Sequence, residues 1–101
     1  MVRPVRLSQE EIDAIKSVAK EVFGEGVRVW LFGSRTDPLK KGGDIDLYIE
    51  APTLEKLLDK KIEFLLKLEE RIGEQKIDLI VKPLGCEEEF CRRLKEEAVE
   101  L

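Results

Sequence analysis

The chain has 101 residues, enough for one hydrophobic core and too few for two, so we expect a single domain spanning residues 1–101. Its net charge of -4 argues against a general nucleic-acid-binding surface, because phosphate backbones are bound through clustered lysine and arginine. No apolar run reaches membrane-spanning length, and the first six residues lack the apolar core of a signal peptide, which predicts a cytoplasmic protein.

The first predicted elements are a helix and a short strand. Ser8 followed by Glu11 matches a capping box, and apolar residues then recur at helical spacing until Gly24. These apolar positions are Ile12, Ile15, Ala19 and Val22. Residues 27–32 alternate between two sets of side chains and end at Gly33, which predicts a strand.

A second strand, a long helix and a third strand follow. Residues 44–49 and residues 76–82 alternate as strands, and Thr53 between them is predicted to cap a helix. The apolar stripe of this helix is Leu54, Leu57, Leu58, Ile62, Leu65, Leu68 and Ile72. Phe64 and Leu66 lie off the stripe, so we expect them to be exposed in a monomer and to join a contact within a homo- or hetero-oligomer.

The last segment, residues 87–99, predicts a charged helix. Its apolar positions Phe90, Leu94 and Ala98 recur every four residues and are expected to be buried within the monomer. Cys86 and Cys91 are five residues apart, which on a helix separates them by about 140°. We therefore expect neither a disulfide nor a shared zinc site, and we interpret both as small buried apolar residues.

The predicted order of elements is helix, strand, strand, helix, strand, helix. This order indicates an α+β fold in two layers, with a small mixed β-sheet and helices on one face. The other face of such a sheet is partly open, and sheets with a solvated face are usually antiparallel or mixed. We expect a ligand to bind on this open face.

Aspartates fall on the open face of two strands. Because side chains alternate along a strand, Asp44 and Asp46 are predicted to point to the same side, and Asp78 has the equivalent position in the third strand. Charges held this close repel unless a cation or a proton compensates, and hard oxygen ligands select magnesium or manganese. The chain has no histidine, which excludes a Ser-His-Asp triad and a histidine-ligated zinc site.

A glycine-containing loop leads from the first strand to the aspartate pair. Gly33 lets the backbone approach a phosphate, the Ser34 hydroxyl can donate to it, and the loop is predicted to start with a helical turn whose free backbone N–H groups favour an anion. Alone, the Gly-Ser pair is an ordinary turn, and an aspartate at a strand start often acts as a cap. Together with Asp78 they indicate a site for nucleotide chemistry.

These motifs resemble the nucleotidyltransferase superfamily related to DNA polymerase β. The resemblance rests on Gly33-Ser34, on the segment Gly43-Asp44-Ile45-Asp46-Leu47, and on the later strand that carries Asp78. The length of the chain and the context Leu31-Phe32-Gly33-Ser34-Arg35 are similar to the minimal nucleotidyltransferase (MNT) domains. The resemblance spans about residues 27–82 and implies the polymerase β-like nucleotidyltransferase fold.

The resemblance also implies an activity: transfer of a nucleoside monophosphate, AMP from ATP, to an acceptor hydroxyl with release of pyrophosphate. The implied catalytic and metal-binding residues are Asp44, Asp46 and Asp78, which would hold two Mg²⁺ ions. The implied nucleotide-binding residues are Gly33, Ser34, Arg35 and Gly43. Relatives commonly continue Gly-Ser-Arg with a second arginine and a glycine, whereas Thr36 and Asp37 stand here.

A chain of this length leaves no residues for a separate acceptor-binding domain, so the acceptor meets an exposed surface or another chain. MNT proteins of this size are commonly paired with a helical HEPN protein, a ribonuclease toxin, and some adenylylate a tyrosine on it. The leading hypothesis is therefore an antitoxin that adenylylates a HEPN partner. Two alternatives stay open: a catalytically inactive, nucleotide-binding antitoxin that masks its partner, and a small-molecule nucleotidyltransferase.

Overall fold

A computed structural model describes residues 7–32 and 44–101. Its helices are α1 (Gln9–Phe23), α2 (Leu57–Ile72) and α3 (Glu89–Glu97), and its strands are β1 (Arg28–Phe32), β2 (Asp44–Ala51), β3 (Lys76–Pro83) and β4 (Val99–Glu100). The strands form one mixed sheet in the order β3-β2-β1-β4, in which β2 and β3 are parallel and the other pairs antiparallel. The predicted α+β class is confirmed, and the two-residue β4 is too short to show in a sequence pattern. Within the described ranges, no helix has the length and apolar character needed to cross a membrane.

The capping box predicted for α1 is present. The hydroxyl of Ser8 accepts a hydrogen bond from the Glu11 N–H at 3.1 Å, and the Glu11 carboxylate accepts one from the Ser8 N–H at 3.1 Å. This reciprocal pair satisfies two of the N–H groups that a helix start leaves without partners. The helix ends at Gly24, whose φ of 103° is open to glycine and strained for other residues.

The main core lies between the sheet and the helices α1 and α2. The inward residues of β2 are all fully buried, at Ile45, Leu47, Ile49 and Ala51. Phe23 of α1 packs against Phe64 of α2 with ring centroids 5.7 Å apart, which joins the two helices over the sheet. The prediction of helices on one face is confirmed for these two.

The start and the buried side of α2 differ from the prediction. The helix begins at Leu57 after Lys56 in left-handed conformation (φ 53°, ψ 39°), and Thr53 instead accepts the Glu55 N–H at 3.2 Å in the preceding turn. Phe64 is fully buried, contrary to expectation, whereas Leu66 is 60% exposed as predicted. The reason is that α2 packs against α1 as well as the sheet, which turns its buried side towards Phe64.

The third helix lies on the opposite face of the sheet, so the prediction of helices on one face does not hold for α3. There, Leu94 and Ala98 pack against a second cluster formed by Trp30, Tyr48 and the two cysteines. The predicted burial of the helix holds for Leu94 and Ala98 and is wrong for Phe90, which is 51% exposed. This face is therefore covered at one end.

The cysteine prediction is wrong in one respect and right in another. Cys86 and Cys91 form a disulfide, with Cα atoms 6.0 Å apart. The helical separation does not apply because Cys86 lies in the turn before α3 and Cys91 lies within its first turn. Both cysteines are buried, as predicted, at 8% and 0% exposure.

Candidate active site

The structure brings Asp46 and Asp78 together. They are direct partners in the parallel register of β2 and β3, so their Cα atoms lie about 5 Å apart. Both alternate with residues of the main core. They therefore lie, as predicted, on the opposite face of the sheet, which α3 covers at one end and which we call the second face. Asp46 is half-buried and Asp78 is exposed. Two carboxylates in register repel each other, which makes this position favourable for a bound cation.

The remaining predicted site residues are placed less completely. The backbone of Asp44 begins β2 in register with Lys76, one side-chain repeat before Asp46. Predictions for Gly33, Ser34, Arg35 and Gly43 lie outside the described residues. The end of β1 and the start of β2 lie at the sheet end that carries Asp46 and Asp78.

The surroundings of the aspartates change from polar to apolar along the strands. Phe32 pairs with Asp46 on the β1 side, and Tyr48 pairs with Ile80 one repeat further along β2 and β3. Phe32 and Ile80 are partly buried against the second cluster. The carboxylates thus stand at the open rim of an apolar surface, where water and a polar ligand can reach them.

The opposite end of the second face is closed by Glu50, a residue that the sequence analysis missed. Glu50 is fully buried and accepts three hydrogen bonds, from Lys95 Nζ at 2.8 Å, the Tyr48 hydroxyl at 2.7 Å and the Gly85 N–H at 3.1 Å. It lies four residues after Asp46, about 13 Å along the strand. Alternation places Glu50 on the face of the aspartates, but its partners come from distant segments that no local pattern links to it.

These contacts set the protonation of the network. Burial alone raises the pKa of the Glu50 carboxyl, but the hydrogen bonds from Lys95, Tyr48 and Gly85 outweigh burial and hold this pKa below its usual value. Burial and the Glu50 hydrogen bond raise the pKa of the Tyr48 hydroxyl, so it stays a donor. Glu50 is thus a charged structural anchor.

Trp30 lies beneath this network. Its ring is 5.4 Å from the Tyr48 ring, with the Arg28 guanidinium 4.8 Å from it and Lys95 Nζ 5.8 Å from it. Arg28 also makes two 2.8 Å hydrogen bonds to Glu100 of β4, which fastens the edge strand. Trp30 is 4% exposed, so it is a core residue.

The cysteine bridge borders the closed end. The carboxylate of Glu88 lies 3.6 Å from the Cys86 sulfur and 3.9 Å from the Cys91 sulfur, and these three ligand atoms have the spacing of a metal site. The disulfide uses both sulfurs, and a metal needs thiolates. The group therefore acts as a covalent link between the β3–α3 turn and α3.

A groove lies apart from the aspartates. Its volume is about 610 Å³, and it runs between α1 and the edge of the sheet, where its lining includes Lys16, Lys20 and Arg28. Neither Asp46 nor Asp78 lines it. We assign the candidate site to the aspartates because their paired carboxylates can bind a cation, and a large cavity volume alone does not indicate a function.

Comparisons with known proteins agree with this assignment at the level of family. The sequence model described as "nucleotidyltransferase domain" matches residues 12–101, which includes both Asp46 and Asp78. A search of the curated proteins finds no relative that matches the chain. Members of the family generally use a nucleoside triphosphate and a divalent metal ion. The chain therefore belongs to the nucleotidyltransferase domain family, whose members transfer nucleotidyl groups.

Proposed function

We propose that this protein transfers AMP from ATP, with Mg²⁺, to a hydroxyl of a partner protein. The observation that carries the proposal is the register of Asp46 with Asp78 at the open end of the second face. Family membership supplies the reaction class, and the in-register carboxylates supply a place for it in this chain. The partner we propose is a HEPN-type toxin, with a tyrosine as acceptor and the present chain as its antitoxin.

The aspartates fit a magnesium site by the chemistry of their donors. Mg²⁺ is bound in proteins through one or two carboxylates together with substrate phosphates, and Asp46 and Asp78 offer two carboxylates side by side. Strand alternation predicts that Asp44 contributes a third. When bound, two such ions stabilise the attacking and leaving oxygens of an in-line displacement.

The two described aspartates differ in exposure, and this suggests different roles. Asp78 is exposed, so it is open to an acceptor hydroxyl and suited to accept its proton. Asp46 is half-buried beside Phe32 and is suited to hold the metal and triphosphate in place. We propose Gly33, Ser34, Arg35 and Gly43 as the phosphate-binding residues of the adjoining loop.

Binding of Mg²⁺ and ATP is tested by thermal unfolding. At ligand concentrations 100 times the dissociation constant, binding adds about 2.7 kcal/mol, which for a domain of this size raises the melting temperature by roughly 10 to 20 °C. We expect this rise in the native protein and its loss in Asp46→Asn and Asp78→Asn. Asp13→Asn on α1, across the sheet, is the matched control and keeps the rise. No rise in the native protein would contradict the proposed site.

Transfer is tested with ATP labelled in the α-phosphate and a HEPN-type protein as the candidate acceptor. We expect magnesium-dependent label on the HEPN protein, its loss when the acceptor tyrosine is changed to phenylalanine, and its loss with Asp78→Asn. Label that persists in Asp78→Asn at the native rate would remove the role given to that residue. Label on an added small-molecule alcohol instead of the protein would favour the small-molecule alternative.

A masking antitoxin without catalysis is the second candidate function. It is favoured by apolar side chains that α2 leaves in solvent, among them Leu58 at 71% and Leu66 at 60% exposure, because such side chains suit a protein contact. A single variant, Asp46→Asn, distinguishes AMP transfer from masking of the toxin. If Asp46→Asn abolishes labelling and still neutralises the toxin at equal molar ratio, masking is sufficient.

A further inference from the structure

An apolar ridge runs along the outer side of α2. It consists of Leu58, Ile62 and Leu66, which are 71%, 50% and 60% exposed, and Leu54 in the preceding turn is 38% exposed. The spacing of four residues places the three helical side chains in one row. Scattered single apolar residues are normal on a surface, but a continuous row on one helix marks a contact surface. We call Leu58, Ile62 and Leu66 the α2 ridge.

The α2 ridge faces away from the rest of the monomer. Phe64 contacts Phe23 of α1, and Lys67 makes a 3.2 Å ion pair with Glu21 of α1. At 100° per residue, Ile62 lies about 160° from Phe64 and about 140° from Lys67 around the helix. Since α1 occupies the far side of α2, it cannot cover the ridge.

One edge of the sheet is also incompletely covered. β3 is the strand at this edge, and it follows α2 in the chain. Its inward residues Ile77, Leu79 and Val81 pack against the main core but are only partly buried, whereas the inward residues of β2 are fully buried. The β3 border of the main core is therefore less well covered than its centre.

Acidic residues border the ridge. Asp59, Glu63 and Glu70 are all exposed and lie about 60 to 100° around the helix from Ile62, on its solvent side. Within residues 7–32 and 44–101, none of these three carboxylates makes an ion pair. They form a row of like charges beside the apolar row.

This charge pattern discriminates between possible occupants. If two copies of α2 paired antiparallel about a two-fold axis through Ile62, the acidic border of one copy would face the acidic border of the other, which is unfavourable. A helix with basic residues beside its apolar face would instead make apolar contacts with the ridge and favourable ionic contacts with its acidic border. Helix-in-groove recognition uses apolar anchors at the same spacing.

We propose that the α2 ridge binds an amphipathic helix of a partner protein whose apolar face is bordered by lysine or arginine. This inference rests on the partner half of the proposed function and names the surface that such a partner contacts. It does not depend on the aspartate site, because the ridge lies on the other side of the sheet from Asp46 and Asp78.

The test uses two synthetic helical peptides that share one leucine row at spacings of three and four. One peptide has lysine at the flanking positions and the other has glutamate, and their binding is measured by fluorescence anisotropy. We expect the lysine peptide to bind at least tenfold more tightly than the glutamate peptide. Equal affinities, or no binding of the lysine peptide, would overturn the proposal.

Matched variants separate the apolar and charged contributions. Ile62→Ser with Leu66→Ser is expected to weaken binding of the lysine peptide at least tenfold, whereas Phe90→Ser, which removes an exposed aromatic residue from α3, leaves it unchanged. Glu63→Gln with Glu70→Gln should weaken it severalfold. In contrast, Glu87→Gln with Glu96→Gln changes the net charge equally and leaves the affinity unchanged. If both charge pairs have the same effect, the attraction is general and the proposed surface is wrong.

Two further measurements test whether a second copy of this chain occupies the ridge and whether binding at the ridge depends on the aspartate site. Sedimentation equilibrium of the protein alone should give a monomer, and a dimer that Ile62→Ser dissolves would assign the ridge to a second copy and overturn the proposal. Asp46→Asn should bind the lysine peptide as the native protein does. If it does while AMP transfer is absent from the native protein, the proposed chemistry fails and the docking surface stands.

Discussion

Lys95→Met tests the claim that the closed end of the second face depends on a charged Glu50. Glu50 is fully buried, and Lys95, whose side chain is 25% exposed, is the cation that contacts it at 2.8 Å. Methionine keeps the long apolar stem that covers Trp30 and removes the charge. The substitution thus leaves a buried carboxylate without its cation.

The expected cost follows from what Glu50 retains. Removing one partner of a buried ion pair destabilises a protein by about 3 to 5 kcal/mol. In this case the Tyr48 hydroxyl and the Gly85 N–H still donate to the carboxylate, so we expect about 3 kcal/mol at pH 7. The double variant Glu50→Gln with Lys95→Met removes the charge as well and should recover most of this loss. Urea unfolding of the native protein, both single variants and the double variant gives the coupling free energy.

The pH dependence of the cost supplies the sharper result. In the native protein the pKa of Glu50 is held below its usual value, so its stabilisation is present above the unfolded pKa, about 4.3, and is lost as the pH falls through the folded pKa. In Lys95→Met the lowering by Lys95 is lost, so the Glu50 pKa rises relative to the native protein and protonation relieves the variant as the pH falls. The difference in the free energy of unfolding between the native protein and Lys95→Met should therefore decrease to about 1 kcal/mol below pH 4. A difference that stays constant from pH 7 to pH 4 would refute the reasoning.

The cysteine bridge and the core side of α2 give two smaller tests of stability in urea. Opening the Cys86–Cys91 disulfide with reductant, or Cys86→Ser, should lower the free energy of unfolding by about 2 kcal/mol, the loop-entropy value for so short a ring; an unchanged midpoint in reductant would contradict the bridge. Phe64→Ala should cost about 3 to 5 kcal/mol because it empties a fully buried site, whereas Leu66→Ala, two residues on and 60% exposed, should stay within about 0.5 kcal/mol. If both substitutions lower the free energy of unfolding by the same small amount, Phe64 is exposed like Leu66, as the sequence pattern predicts, and the packing of α2 described above is wrong.

Local patterns predict the parts of this fold that depend on local physics. The capping box at Ser8 and the alternation that places Asp46 and Asp78 on one face are present because both are decided within a few residues of the chain. The alternation fixes only the face of each strand, and the register that pairs Asp46 with Asp78 is set by the packing of β2 against β3. The reaction class came from spacing and resemblance and is supported by the family match.

The errors arise where packing between distant segments decides the outcome. Phe64 was expected in solvent because a single apolar stripe does not show that α2 also meets α1. The disulfide was excluded on the assumption that Cys86 lies in a helix, but the helix begins three residues later. Glu50 was overlooked because its cation comes from α3, forty-five residues further along the chain. None of these contacts leaves a periodic signal in the sequence.

The two ends of the second face have different roles: the Glu50 end stabilises the fold, and the aspartate end is the candidate site. The unfolding of Asp78→Asn tests this difference. At the closed end Lys95 contacts Glu50, and about 13 Å away Asp46 and Asp78 place like charges in register. Like charges opposite each other on neighbouring strands lower stability by a few tenths of a kcal/mol to about 1 kcal/mol. Asp78→Asn should therefore raise the free energy of unfolding in metal-free buffer and lower it relative to the native protein when Mg²⁺ and ATP are present. A variant that is less stable in both buffers would show that Asp78 supports the fold and was not retained for a ligand.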